Sequence, residues 1–356
     1  MQSAEWRCFV AAALILLSAC ATTGDLAAYG ATGERLELLN TAFFPAEDRY
    51  AAAAALATLL YTDGVVVSPD MVAARLDTAA GAIELQPALH SAVQSFDRVP
   101  YVLEPRLQDV VTELRAGRPV LVLLNLAPTA APAWRYAVVI GYESVSNSLL
   151  LRSGRAGRAR MQPGAFVRAW KEGGNWAMVL GEPAKIPATA TPQRWIAAAE
   201  SLSLVGKATL AEAAVEAALL RWPEQTLLVT VALGNARYAR MDYTGAESAY
   251  LQALKLKDDN PVVHNNLALV LLERRCVDLA EREVAEAIEH ETDPKLREAY
   301  AQTDAKIRRY AGTAIFCQQP DADAQAPIEY DVLPLNPDNP RVPRALRKSS
   351  SKKAPK

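Results

Sequence analysis

From about residue 227 to residue 290 the chain repeats itself at an interval of 34 residues. Leu233, Gly234, Ala246, Tyr250 and Ala253 recur as Leu267, Ala268, Ala280, Val284 and Ala287. A weaker copy comes first, with Trp195, Ala211, Val215, Ala218 and Pro223 at the corresponding offsets. A unit of this length holds two short helices, and one such pair cannot bury its apolar face alone, so about three stacked pairs with an end cap are the least that make a stable array. Residues 193–317 are therefore expected to form an all-α superhelix, with 293–310 as the capping helix. Small residues at Gly234/Ala268 and Ala246/Ala280 let the helices of a pair approach closely. From 318 to 356 the chain turns to Pro, Asp, Asn and Lys without apolar periodicity, which predicts a disordered tail. Its last stretch, 341–356, carries only positive charges and could touch anionic lipid or polymer, against the plainer reading of a solvated tail.

The 34-residue units resemble tetratricopeptide repeats, and the resemblance implies a concave face that holds an extended peptide or a helix. The competing reading is a generic helical bundle. At the other end of the chain, Arg7 precedes an apolar run over 9–17 and then Leu17, Ser18, Ala19 and Cys20. That run is shorter than the about 20 residues a spanning helix needs, so 1–19 reads as a cleaved signal peptide. The segment resembles that of bacterial lipoproteins, which implies lipidation at Cys20 and a membrane anchor on the periplasmic face of the cell envelope. Ala21 in place of Asp favours the outer membrane in that family. The competing reading is an ordinary signal peptide with an incidental cysteine. Residues 20–40 then form a tether.

An apolar content of 51% supports real cores, and a net charge of −2 with no clustered basic face argues against nucleic acid as a partner. With Cys8 in the signal and Cys20 taken by lipid, Cys276 and Cys317 remain. In an oxidising compartment they are a disulfide candidate, with buried free thiols or a redox role as alternatives. Three scattered histidines, His90, His264 and His290, give no zinc-like spacing, so neither a metal nor another cofactor is expected.

Residues 41–182 carry helical patterns at 50–61, 69–76, 87–96 and 107–116, then strand patterns at 119–126, 135–142, 148–151 and 176–180. Helices followed by an antiparallel meander make an α+β domain. A Pro-rich linker, 183–192, separates it from the repeats.

The segment beginning Phe43, Phe44, Pro45, Ala46 and continuing through the run Ala51 to Ala55 to Leu56, Ala57 resembles the nucleophile segment of the bacteriocin-processing, double-glycine leader cysteine peptidases, F-F-P-Q followed by Q-C-G-P-A-A-L-A. Downstream, Trp134, Arg135, Tyr136, Ala137, Val138, Val139, Ile140, Gly141 and Tyr142 resemble that family's H-Y-A-V-V-I-G-Y strand. The resemblance implies a papain-like fold. It also implies that each catalytic position is replaced: the nucleophile falls on Ala51, the oxyanion-stabilising Gln on Ala46, the His on Arg135 and the orienting acid near Ser153. An alanine methyl cannot attack a carbonyl, and a guanidinium with a pKa above about 12 cannot serve as a base. The competing reading takes the alanine run as a small-residue helix packed on a sheet. His90 beside Ser91 lacks a third group and an oxyanion hole, so a structural histidine is the plainer reading. Trp134 and Arg135 are groove candidates, able to hold a peptide or carboxylate by stacking and a bidentate pair, against a core Trp and a solvated Arg.

These readings converge on a lipid-anchored pseudopeptidase that binds a peptide or protein partner through the degenerate groove and the repeats. The alternatives are an active cysteine peptidase with an unrecognised nucleophile and a pure repeat adaptor whose first domain is a spacer.

Overall fold

The structure, a computed structural model, describes residues 25–29, 31–47, 50–76, 81–127, 130–310 and 317. The expected signal segment, the lipidation position Cys20 and the tail 318–356 lie outside the described residues. Among the described residues no helix is long and apolar enough to cross a membrane.

The first half is an antiparallel sheet with helices on both faces. Its strands are β1 (Arg35–Glu37), β2 (Val99–Val102), β3 (Val120–Asn125), β4 (Trp134–Glu143), β5 (Ser148–Ser153), β6 (Ala156–Met161) and β7 (Ala177–Gly181). They lie in the order β2-β7-β3-β4-β5-β6, with β1 paired to the far end of β4. The helices are α1 (Ala51–Thr62), α2 (Pro69–Ala73), α3 (Leu85–Ser95), α4 (Leu107–Arg115) and α5 (Pro163–Glu172). Because both faces are covered, β3 reads as an unbroken apolar run and its period of two appears only in where the side chains go. Leu121, Leu123, Tyr136, Val138 and Ile140 join the core under α1 and α3. Val120, Val122, Leu124, Ala137 and Val139 join the core on the opposite face.

Every residue of α1 from Ala51 to Leu60 is buried. A helix apolar all round must be enclosed, and its alanines give it both helix propensity and a slim cross-section that lies close on the sheet.

The sequence predicts a tether over 20–40, and over 25–29 and 31–40 the structure differs. Leu26 is fully buried, its backbone N–H donates to Asn147 Oδ1 at 3.0 Å, and β1 pairs with β4. A three-residue charged strand has no apolar run to announce it. Its position depends on Gly141, where a Cβ would lie 2.1 Å from the Leu36 carbonyl oxygen. The β4–β5 register also shifts between Val139 and Gly141, as at a bulge that re-aims one strand.

The second half comprises α6 (Pro192–Leu204), α7 (Ala208–Arg221), α8 (Thr226–Ala239), α9 (Tyr243–Leu256), α10 (Pro261–Glu273), α11 (Val277–His290) and α12 (Pro294–Arg308). The turn inside each of the three pairs is the same backbone motif. Lys207, Asp242 and Cys276 donate N–H to the carbonyls of Leu202, Arg237 and Leu271, and the residue before each donor, Gly206, Met241 or Arg275, has positive φ. This is the 6→1 bond of a Schellman ending. Its glycine has been lost in two of three copies, so sequence comparison alone does not display it. Gly234 makes room for Tyr250, whose ring would lie 2.4 Å from a Cβ there. Cys276, at the last turn, is disulfide-bonded to Cys317.

The stretch 183–192 is packed against both halves. Thr189 donates from its backbone N–H and its hydroxyl to Glu113 Oε1, each at 2.7 Å, and Arg118 donates to the Ile186 carbonyl at 3.1 Å. Trp195 is fully buried in a core running without a break from Val99, Tyr101 and Val179 of the sheet to Val215 and Leu233 of the helices.

His264 sits between α10 and α11, with Nδ1 2.7 Å from Glu283 Oε2, Nε2 2.6 Å from the Asp258 carbonyl, and the His290 ring stacked 6.5 Å away. The Glu283 carboxylate raises its pKa against the opposing effect of burial. A raised folded-state pKa contributes stability that is complete below the unfolded value of about 6.5 and is lost as pH rises through the folded value. Denaturation midpoints are therefore expected to fall as pH climbs from about 6.5 through the raised folded-state value, and to do so less steeply in His264→Gln. An unchanged slope in the variant would assign the pH dependence elsewhere.

Candidate functional site

The segment before α1 is held at three points. The Ala46 N–H donates to the Gly154 carbonyl at 3.2 Å, and the Ala42 N–H donates to Thr62 Oγ1 at 3.0 Å. Arg152 donates from Nη2 to the Thr41 carbonyl at 2.6 Å and from Nη1 to the Gly157 carbonyl at 2.8 Å, with its guanidinium over the Phe43 ring. Burial lowers the Arg152 pKa from its usual value, and its carbonyl partners make the residue a fastener between this segment and the β5–β6 turn.

Four positions singled out in the sequence meet here. Ala51 is the first residue of α1, and Ala46, Ala51, Ser153 and Gly154 line one small recess with Tyr136 and Arg152. Ser153 stands opposite Ala137 in the β4–β5 ladder. Arg135 is beside them without lining the recess: its Nη1 lies 2.5 Å from where a Cβ on Gly154 would be, so the absence of a side chain at 154 gives the guanidinium its place. Trp134 pairs with Asn125 across β3–β4 and packs, half-buried, on the core beneath α1. The Tyr136 hydroxyl donates to the Ala82 carbonyl at 2.6 Å, and burial raises its pKa. His90 is on α3, half-buried, with its pKa lowered by that burial.

The recess has room for about one water at most, some 10 Å³, and Ala51 is 5% exposed. Among the described residues, no hydroxyl or thiol of its lining is seen paired with a base, the pairing that an activated nucleophile requires. Immediately outside it, however, is an open cleft of about 940 Å³ lined by Pro45, Ala46, Glu47, Tyr50, Pro69, Asp70 and Arg155. Glu47 and Arg155 form an ion pair, both side chains largely solvated, so the pair contributes little to stability and can rearrange. Pro45, Ala46, Glu47 and Tyr50 belong to the motif segment before α1, whereas Pro69, Asp70 and Arg155 come from two other segments that no spacing in the chain connects to it. Trp134 and Arg135 are not among its lining residues. Among the described residues no group of three or more His, Cys, Asp or Glu is placed to hold a metal ion.

No protein-family model matches the chain, and no curated protein matches it. Among solved structures, one described as a C39-like peptidase from Bacillus anthracis aligns at 18% identity and a TM-score of 0.36, covering 42% of this chain and 98% of that one.

Proposed function

We propose that the chain is an envelope lipoprotein whose papain-like domain is a pseudopeptidase, retaining a cleft for extended peptide while lacking the chemistry to cut it. The helical pairs, read as tetratricopeptide repeats, serve as a rigid second contact surface toward a protein partner. The observation that carries this reading is the juxtaposition at the start of α1: a position closed over a methyl group, Ala51, beside an open cleft rimmed by Tyr50, Pro69 and opposed charges. Aromatic and proline surface suits an extended chain, and the charges on both sides suit its polar groups.

The experiment uses the mature chain and a library of fluorescent extended peptides, with intact mass measured after exposure to a peptidyl electrophile. Saturable binding is expected, with neither cleavage nor adduct. Ala46→Trp, which fills the cleft from its wall, is expected to weaken binding about 10-fold or more at an unchanged melting temperature. Cleavage or an adduct would sink the pseudopeptidase reading. Binding indifferent to Ala46→Trp but lost on disturbing the helical pairs would favour the pure repeat adaptor.

A further inference from the structure

The chain enters the fold fastened to the tip of the β4–β5 hairpin, the turn over 144–147. Leu26 is fully buried, and its N–H donates to Asn147 Oδ1 at 3.0 Å. The Ala31 N–H donates to the Leu26 carbonyl at 3.1 Å, and the Ala31 carbonyl accepts the Ser144 hydroxyl. The Ser144 N–H donates to the Glu34 carbonyl at 2.9 Å, and β1 then pairs along β4. These bonds leave the chain no slack at this pole of the sheet. Cys20 stands six positions before Leu26, and a chain of that length spans at most about 20 Å when fully extended.

Val145, at the tip, is 94% exposed. Beside it, Arg35, Arg158 and Arg160 surround Glu37 and Glu143, and the charges are layered. The Glu37 and Glu143 side chains are only 10% and 12% exposed, whereas those of Arg35 and Arg160 are 66% and 55% exposed, so the guanidinium groups form the outer layer. Of the exposed acids nearby, Glu34 is paired with Arg115 at 3.1 Å, and Asp25 accepts the Ala27 N–H at 2.9 Å. An apolar tip flanked by outward guanidinium groups suits a bilayer interface, where the apolar group enters the headgroup layer and the cations meet anionic lipid.

Given the lipoprotein reading proposed above, on which this rests, we infer that the β4–β5 hairpin tip is the surface that lies on the membrane to which Cys20 is anchored, with Val145 foremost and Arg35 and Arg160 beside it. The short reach from Cys20 to Leu26 keeps this pole within range of the bilayer, and its exposed groups make the contact favourable. The contact also sets the direction in which the peptide cleft faces. Val145 and Arg155 lie in the turns at opposite ends of β5, whose 6 residues span about 20 Å. Arg155 lines the cleft beside Ala46, so the cleft lies at the pole away from the bilayer, open to peptides in solution.

The test uses the full chain made in a bacterial host, where Cys20 is processed, and reconstituted in vesicles of phosphatidylethanolamine and phosphatidylglycerol. Because Cys276 and Cys317 are bonded to each other, Val145→Cys and Arg155→Cys each offer one free thiol for a fluorophore. A short-range quencher carried on the lipid is expected to dim the label at 145 and to leave the label at 155 at its quencher-free level. Replacing phosphatidylglycerol by phosphatidylcholine is expected to reduce the quenching at 145, because the exposed guanidinium groups then lose their anionic partners. Intact mass separates the two ways of failing. A chain without lipid on Cys20 would overturn the anchor and, with it, the membrane surface. A lipidated chain with equal quenching at both labels, or with quenching at 145 indifferent to phosphatidylglycerol, would overturn the surface alone.

Discussion

Trp195→Ala is expected to remove about 3–5 kcal/mol of stability and to separate the unfolding of the two halves. The indole is fully buried, its ring centroid 6.4 Å from that of Tyr101 on β2, and a Cβ on Gly181 of β7 would come within 2.7 Å of it. Its Nε1 donates to the Ala214 carbonyl of α7 at 2.8 Å. One side chain thus touches the edge of the sheet and both helices of the first pair, in the core where the packed 183–192 segment also ends. Truncation leaves a cavity that neither layer can close without giving up contact with the other. Denaturant unfolding followed by far-ultraviolet circular dichroism should change from one transition to two, or to one with a reduced m-value. Trp195→Phe, which keeps most of the ring and loses the N–H, should cost less and preserve a single transition. A single unshifted transition in Trp195→Ala would mean that the halves are not coupled through this residue.

That coupling was hard to foresee in the chain, and the reason is general. A Pro, Ala and Thr segment between two compositionally distinct regions looks like a linker. Among the groups that bind it here is a buried carboxylate, Glu113, some 76 positions away from Thr189. The strands that escaped sequence reading share a cause of the same sort. β2 contains Pro100 and β6 reads Ala, Gly, Arg, Ala, Arg, Met, and both are edge strands, where proline and charge are tolerated because one side of the ladder is unpaired. The interior strands β3, β4, β5 and β7 and the helix α1 were legible because their burial leaves apolar runs, and α2, α3 and α4 because one apolar face recurs at the helical period. α5 was hidden by its Pro163, Gly164 start, which reads as a turn. The closed recess around Ala51 was visible as a motif. The open cleft beside it was not, because Tyr50, Asp70 and Arg155 meet only after the chain has folded.

Loss of the Cys276–Cys317 bond is the second large expected effect, and its character should differ from that of Trp195→Ala. The bond closes a loop spanning 41 positions, for which chain entropy gives about 4 kcal/mol, mainly by restricting the unfolded chain. That restraint matters because α12 is poorly anchored by packing: its buried residues are Tyr300 and Ile307, and the rest of its face is polar. At the other end of the loop, Cys276 is buried in the core of the last two pairs, where Val277, Leu279 and Ala280 follow it. Cys276→Ala avoids burying a hydroxyl, and with Cys317→Ala it leaves no free thiol, so the double variant isolates the covalent restraint. Hydrogen exchange should show α12 opening first, with α11 following and α1 to α5 unaffected, because their core does not include these helices. Reduction of the native chain should reproduce both the loss of stability and its localisation. If the double variant loses under about 1 kcal/mol and α12 exchanges as slowly as before, then the packing of Tyr300 and Ile307 alone holds the end of the array, and the disulfide is incidental to its stability.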